Sequence, residues 1–300
     1  MLSNVSLLYL APALNVQLLL DGIFIGAIFA LAAYGLALVW GVMNVKNLAQ
    51  GDFVIIGGYI AWWLGTQGIH PFFGLPVAIV VMFAFGWAVY RVVISRVVDR
   101  DLFTSLLATF GLAIVIQQVL SNIFGPETRT AHSALGTLTM LGGMVTVTEI
   151  RLISLGLCLA LALGLVGLMT RTRMGRAIRA TAQDARAARV LGVDTDRVYA
   201  FTFSLNAAIC GAAGALISMI WVIQPYFGIV HSIRSFVIVT AAGFGNLPGV
   251  IVAGFGLGIA EQFGGFVLGA EFQQAIVTGA LVLVLAWRQL LLARHRQVVQ

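Results

Sequence analysis

Charge is scarce in this sequence, and lysine is almost absent. Charged residues make up 9% of the 300 residues and hydrophobic residues 60%, whereas soluble domains have about 25% and about 45–50%. This composition excludes a soluble globular enzyme and a disordered chain. The single lysine, Lys46, is followed by Asn47, so the chain has no Gly-x-x-x-x-Gly-Lys-Ser/Thr loop to hold a nucleotide phosphate. If ATP drives this protein, another subunit must hydrolyse it.

Cysteine is also rare. The two cysteines, Cys158 and Cys210, both lie inside apolar runs and lack the spacing of metal ligands. We expect them to be small buried side chains. The short motifs of zinc proteases, serine hydrolases and dithiol oxidoreductases are absent too. The sequence therefore predicts no catalytic residue, no metal and no cofactor on this chain, and it predicts that the protein is not an enzyme.

What the sequence does contain is long apolar runs of about 20 residues, the length that a helix needs to cross a bilayer. A β-barrel would instead alternate apolar and polar residues. The runs lie at 14–42, 53–69, 74–94, 103–124, 152–170, 198–222, 233–246, 249–268 and 272–288. Because the run at 233–246 is short, the prediction is 8 or 9 membrane segments. We expect an all-α, polytopic transmembrane bundle that forms a single domain over residues 1–300.

The positive charges predict the orientation. The segments 43–52, 91–101, 171–197 and 288–300 hold 14 of the 17 lysines and arginines. Cytoplasmic loops of membrane proteins carry such an excess, so these segments are predicted to be cytoplasmic. The amino terminus is then outside, and the carboxyl terminus is inside if there are nine crossings. This topology explains the net charge of +6 without nucleic acid as a partner.

Small residues recur at intervals of four on three predicted helices: at Gly22, Gly26 and Ala30, at Ala207, Gly211 and Ala215, and at Gly254 and Gly258. Such faces allow close helix packing in lipid, and they also suit a sliding or subunit interface.

Two loops are longer than a turn: the outer loop 125–151 and the cytoplasmic segment 171–197. The second has the pattern of a short amphipathic helix. Its small apolar face is formed by Met174, Ile178, Ala182, Ala185 and Ala188. Gly192 is placed to end the helix, and Asp194 is placed to cap the next one. A face made mostly of alanine favours docking on a cytoplasmic protein, with lipid anchoring and a plain loop helix as alternatives.

Three blocks of the sequence, in the same order, resemble the branched-chain amino-acid ABC transporter permeases. They are DGIFIGAIFALAAYGLALVWGVMNVKNLAQGDFVIIGGYIA at 21–61, GRAIRATAQDARAARVLGVD at 175–194 and IRSFVIVTAAGFGNLPGVIVAGFGLGIAEQFGG at 233–265. The turn in the first block departs from the family, because Gln50 replaces a usual histidine. The family's Arg-Pro-x-Gly-Leu tail is also missing after Arg288, so no function is carried over for the tail.

The resemblance implies an import permease of a bacterial inner membrane. Its partners would be two cytoplasmic ATPase subunits, a second permease subunit that is a sister or a copy, and a periplasmic substrate-binding protein. The cargo would be branched-chain or other small amino acids, with urea and short amides still open. The resemblance also predicts a coupling helix that contacts an ATPase. Its residues would be Gly175, Arg176, Arg179, Asp184, Arg186, Arg189 and Gly192.

Polar side chains at membrane depth are candidates for the translocation path or for gating. Asn47, Gln50, Asn206 and Glu261 are the four candidates, and Arg234 is a possible partner of Glu261 if the short segment 233–246 folds back. Asp21 is expected near the outer membrane interface. An ion-coupled secondary transporter or channel is the alternative that Glu261 favours. An intramembrane enzyme is disfavoured because the four histidines fall at span ends or in loops.

Overall fold

A computed structural model describes residues 2–98, 100–131, 135–140, 145–243 and 246–297. The described chain is a bundle of helices with one small hairpin. The helices are α1 (Leu2–Leu10), α2 (Pro12–Met43), α3 (Gln50–Thr66), α4 (Gly74–Val92), α5 (Leu102–Phe124), α6 (Glu149–Arg171), α7 (Arg173–Gln183), α8 (Ala185–Val190), α9 (Thr195–Ile220), α10 (Gly228–Ala242), α11 (Leu247–Leu268) and α12 (Gln273–Gln297). Strands β1 (Thr137–Met140) and β2 (Val145–Thr148) pair antiparallel.

Eight of the described helices are long and apolar enough to cross a membrane, some with a flanking 3₁₀ turn included. Helix α3, with 17 residues, is shorter than these eight and matches the remaining predicted segment. The short predicted run at 233–246 lies mostly in α10, which gains length from the turn Pro225–Phe227 before it. The predicted polytopic helical bundle is therefore confirmed, and the chain is a multi-pass membrane protein. Helix α1 was not predicted.

The bundle has two ends. We call the end that carries α7, α8 and the turn after α4 the basic face, and the end that carries the β hairpin the hairpin face. The hairpin lies in the predicted outer loop 125–151, which was expected to lack strands. Its β2 sequence Val-Thr-Val-Thr alternates buried valine with more exposed threonine, as a strand with one covered face does. The Gln17 amide pairs with both backbone groups of Thr146, at 2.9 Å each, and so joins the hairpin to α2.

Helices α2 and α9 form the buried centre, and α12, as far as Trp287, lies almost wholly on the outside. Helix α2 packs on α11 through the predicted small-residue faces. A Cβ atom on Gly26 would lie 2.8 Å from the Cα of Phe255, and one on Gly254 would lie 2.9 Å from the Gly26 oxygen. The glycines therefore permit a backbone contact that any larger residue would prevent.

The segment 43–52, which was predicted to be cytoplasmic, is mostly buried. The chain leaves α2 at Asn44 in a left-handed conformation, with φ of 54°, and then turns into the bundle. The Leu48 amide donates to the Thr109 hydroxyl at 3.2 Å, and Asp52 accepts from Gln117 at 2.9 Å. Because Gln117 lies fifteen residues along α5, about 22 Å at 1.5 Å per residue, α3 begins deep inside the protein.

Candidate functional site

Helix α7 lies at the basic face and folds back on the end of α6. The Thr172 hydroxyl accepts from the Gly175 amide at 2.9 Å and caps the helix. A Cβ on Gly175 would lie 2.6 Å from the Cα of Met169, so only glycine fits there. The Arg179 guanidinium donates to the Met169 carbonyl oxygen. These contacts fix α7 against the last turn of a membrane helix.

The expected single helix in this segment is two helices, because Asp184 breaks it. Asp184 has extended backbone, with φ of −154°. Its carboxylate accepts from the amides of Arg186 at 2.8 Å and Ala187 at 3.0 Å, which caps α8. The same backbone N–H groups lower the pKa of Asp184, since they stabilise the charged form. Aspartate competes in this way with the continuous helix that its neighbours favour.

The end of α8 has the geometry that the sequence predicts. Gly192 adopts φ of 86°, a left-handed conformation that glycine adopts without strain. Asp194 accepts from the Arg197 amide at 3.1 Å and caps α9. Arg189 donates from Nε to the Thr195 hydroxyl at 3.1 Å, so this arginine also holds the turn.

The outer side of the segment is both basic and apolar. Arg176 and Arg186 are exposed, and Val190 and Leu191 are 86% and 83% exposed. We call Arg186, Val190 and Leu191 the α8 tip. The predicted apolar face is only partly right, since Ala182 is exposed whereas Ile178 and Ala188 are buried. These residues form a small exposed apolar patch beside an arginine, and exposed apolar patches mark contacts with another protein or with a membrane.

Three of the four predicted path candidates meet inside the bundle, where the buried chain enters α3. Gln50 donates to the Ala32 carbonyl oxygen at 2.9 Å and contacts the Cys210 sulfur at 3.0 Å. Asn47 bonds the Ala49 amide at 3.1 Å, and Cys210 lies 3.6 Å from the Asn206 oxygen. All of these side chains are fully buried.

The fourth candidate, Glu261, is not in this cluster. It lies on α11 and forms a bidentate ion pair with Arg234 of α10, in which Nε and one Nη donate to the two carboxylate oxygens. The Nε atom lies 3.2 Å from its acceptor. The sequence offered Arg234 as a possible partner only if the segment 233–246 folds back, and the structure forms the pair because α10 and α11 pack against each other. The Arg234 guanidinium also lies over the Phe29 ring, 4.7 Å from its centroid.

The ion pair borders a cavity of about 380 Å³ in the hairpin-face half of the bundle. Buried His231, in the first turn of α10, lines the same cavity. A second ion pair, Arg151 with Asp21, joins α6 to α2 nearby. Asp21 is partly buried, with 17% of its side chain exposed, and its position near the outer membrane interface stays a prediction.

These features can be compared with known proteins. The profile of a family described as branched-chain amino acid transport system, permease component, matches residues 18–286. The chain belongs to this family. The high-affinity branched-chain amino acid transport system permease protein LivH of Escherichia coli K12 is 30% identical over 283 residues, which are 90% of this chain and 92% of LivH.

Two further relatives carry the same description. BraD of Pseudomonas aeruginosa is 29% identical over 288 residues, which are 91% of this chain and 93% of BraD. A more distant relative, LivM of Escherichia coli K12, is 27% identical over 286 residues, which are 87% of this chain and 66% of LivM. The relatives are transport permease proteins, and this chain is a member of a transport permease family.

One buried residue of this permease could not be recognised from the sequence. Asp52 is 1% exposed, and one of its carboxylate oxygens has no hydrogen-bond partner in the described part of the chain. The sequence analysis assigned segment 43–52 to the cytoplasmic side and did not single out Asp52. The available signal was its position two residues after Gln50, at the start of an apolar run.

Proposed function

We propose that this permease is a transmembrane subunit of a binding-protein-dependent ABC importer for branched-chain or other small amino acids. The observation that carries the proposal is the α7–α8 segment, fixed to α6 on one side and exposing the α8 tip on the other. Family membership supports the cargo class, because relatives such as LivH are described as branched-chain amino acid permeases. The chain has no nucleotide-binding loop, so two separate ATPase subunits supply the energy.

The basic face is the cytoplasmic face in this proposal. Most of the arginines lie there, which follows the positive-inside rule, and the hairpin face then meets a periplasmic binding protein. An impermeant thiol reagent tests the orientation. Ile69, on the hairpin face, is 44% exposed, so the variant Ile69→Cys should be labelled in intact cells. The variant Leu191→Cys should be labelled only after the membrane is permeabilised, and the reverse pattern would contradict the orientation.

The α7–α8 segment acts as the coupling element. The backbone contact at Gly175 and the bond from Arg179 make it move together with α6, and Arg189 and Gly192 fix the turn into α9. A push on the α8 tip by an ATPase is therefore passed to two membrane helices. Packed helix interfaces shift between discrete arrangements more readily than they deform continuously, which suits a switch between inward-facing and outward-facing states.

The interior candidates act on the path. Asn47, Gln50 and Asn206 lie where the buried turn meets α9, and Glu261 with Arg234 ties α10 to α11. Uncharged polar groups can guide a small solute without trapping it, and the ion pair can hold one state of the transporter closed.

The second permease subunit is a sister or a copy of this chain. Two proteins of Escherichia coli K12 with the same system description, LivH and LivM, both resemble it, which supports a sister. Gentle purification from native membranes, with mass identification of the co-purifying chains, distinguishes the two arrangements.

The decisive experiment is ATP-driven uptake of leucine by proteoliposomes that contain the whole complex. The variant Arg186→Glu should abolish ATPase association and uptake while the permease still inserts. The matched control is Arg100→Glu, another exposed arginine on the basic face, and it should transport normally. Normal uptake by Arg186→Glu would contradict the coupling role. Competition by urea or short amides, but not by leucine, would move the cargo to those compounds.

One observation favours a second candidate, an ion-coupled transporter. Asp52 is a buried acidic group with an unpartnered oxygen in the described part of the chain, and intramembrane carboxylates often carry coupling ions or protons. Uptake driven by an ion gradient without ATP, and lost in Asp52→Asn, would support this candidate over the importer.

A further inference from the structure

The cavity beside Arg234 and Glu261 has the size of a small-molecule site. Its volume is about 380 Å³, at the lower end of the roughly 300–1,000 Å³ usual for ligand pockets. It lies among α2, α9, α10 and α11, and its wall combines charged, amide and aliphatic side chains. Ile25, Ile217 and Val230 contribute the aliphatic part that the argument uses.

Arg234 has hydrogen-bonding capacity that Glu261 does not use. A guanidinium has five N–H donors, and the described bonds of this side chain go to Glu261 from Nε and one Nη. The Arg234 side chain is 13% exposed, against 3% for Glu261. The aromatic ring of Phe29 supports the guanidinium from one side. Its remaining N–H groups are therefore held in a fixed plane at the cavity wall.

Glu261 has spare capacity as well. An ionised carboxylate offers about four lone-pair positions, and the two bonds from Arg234 occupy two of them. A cation in the cavity can approach the carboxylate without first breaking the ion pair.

We propose that this cavity binds a zwitterionic α-amino acid, with its carboxylate on Arg234 and its ammonium on Glu261. The aliphatic side chain of the ligand then packs on Ile25, Ile217 and Val230. The inference rests on the proposed function and names the substrate class of the interior site. In an α-amino acid the carboxylate and the ammonium are adjacent, as the two charges of the ion pair are. The ligand's carboxylate can therefore face Arg234 while its ammonium faces Glu261.

The charge balance explains selection for a zwitterion. Arg151 also lines the cavity, and Asp21 compensates its charge. Both ion pairs and the ligand are each neutral overall, so binding adds no net charge to the interior. An anion or a cation would bring one uncompensated charge into a low-dielectric site, which is strongly unfavourable. The aliphatic wall favours a ligand with an apolar side chain over a polar one.

The test is binding of radiolabelled L-leucine to the full-length chain alone in lipid nanodiscs. Leucinamide lacks the carboxylate and N-acetyl-leucine lacks the ammonium. Each derivative lacks one charged group that forms a hydrogen bond in the proposed site. Each should therefore compete with the labelled leucine about ten-fold to a hundred-fold less well than unlabelled leucine does. Equal competition by either derivative, or no binding of leucine, would overturn the proposal.

Two variants locate the site. The double variant Arg234→Gln, Glu261→Gln keeps two groups that can hydrogen bond to each other but removes both charges, and it should lose leucine binding. The matched control is Arg91→Gln, Asp196→Asn, which removes an ion pair at the basic face and should bind normally. Normal leucine binding by the first double variant would overturn the proposal.

A third variant covers the case in which the double variant does not fold. Val230→Phe leaves the ion pair in place and fills the cavity, so it should also prevent binding, and retained binding would overturn the proposal. Because this assay contains no ATPase, its outcome is separate from the importer proposal. Failure of ATP-driven uptake with leucine binding intact would contradict the importer alone.

Discussion

The α7–α8 segment and the interior of the bundle are both polar, but they are built in opposite ways. In the segment, the caps and turns join residues a few positions apart, such as Asp184 with Ala187, and the arginines face outward. In the interior, polar side chains are buried and their partners are distant in sequence, such as Arg234 with Glu261 and Asp52 with Gln117. Substitutions of exposed residues in the α7–α8 segment should therefore leave the free energy of unfolding nearly unchanged. Removal of one partner of a buried pair in the interior should lower it.

The largest expected effect comes from breaking the buried ion pair. Arg234→Gln should lower the free energy of unfolding by about 3–5 kcal/mol, because it leaves the Glu261 carboxylate buried and unpaired. The double change with Glu261→Gln should cost less than the single change. Unfolding in detergent titrated with SDS measures both.

The exposed pair of Arg91 and Asp196 provides the comparison. Its side chains are 47% and 52% exposed at a distance of 2.8 Å, so Arg91→Gln should cost no more than about 1 kcal/mol. Equal losses of unfolding free energy from Arg234→Gln and Arg91→Gln would contradict the expected difference between a buried and an exposed ion pair.

A smaller effect is expected where the buried turn meets α10. Gly51→Ala should cost about 1–3 kcal/mol by overpacking, because its Cβ would lie 2.6 Å from the Ser232 nitrogen. At Gly41, in the last turns of α2, an added Cβ would meet no described atom within 4 Å. Gly41→Ala should therefore be neutral or stabilising by up to about 1 kcal/mol. The same unfolding assay compares the two, and a tolerated Gly51→Ala would argue against the inward path of residues 44–52.

The Asp184 cap should have only a local effect. Asp184→Ala should speed hydrogen exchange at the Arg186 and Ala187 amides several-fold and leave the membrane helices unchanged. Because the folded pKa of Asp184 is lowered, the cap is fully present above the unfolded value of about 3.9. It is lost as the pH falls through the lower folded value. Exchange that does not respond to the substitution would contradict the cap.

The smallest effect on stability is expected at the α8 tip. Val190→Ala and Leu191→Ala should change the free energy of unfolding by no more than about 0.5 kcal/mol, because both side chains are exposed. They should nevertheless weaken ATPase association, measured by co-purification. Ile178→Ala is the buried control in the same segment, at 2% exposure, and it should cost about 2–5 kcal/mol. A stability loss at the tip equal to that of Ile178→Ala would make the tip a folding element.

Sequence reasoning succeeded where the signals are local. Apolar run lengths located the long apolar helices and the shorter α3, and Gly192 and Asp194 marked the end of α8 and the start of α9. It also named Arg234 as a possible partner of Glu261, on the condition that the segment 233–246 folds back. The break at Asp184 was missed because alanine and arginine on both sides favour a continuous helix, and a single capping carboxylate decides the outcome.

Sequence reasoning failed where distant contacts decide the structure. Nothing local shows that residues 44–52 turn inward, since the positive charge of Lys46 is typical of a cytoplasmic loop. The bonds from Thr109 and Gln117 of α5 and from Ser232 of α10 compensate the burial of that turn. Asp52 was overlooked for the same reason.

The α8 tip is proposed to meet an ATPase, and one cross-linking measurement tests this contact most directly. The two native cysteines are buried, at 4% and 0% exposure, so Leu191→Cys adds the single accessible thiol of the described chain. A thiol-reactive photo-cross-linker on this variant, in native membranes, should yield an adduct whose mass spectrum contains a nucleotide-binding ATPase subunit. Ile69→Cys, on the hairpin face, should yield none. Absence of the ATPase from the Leu191→Cys adduct would contradict the account.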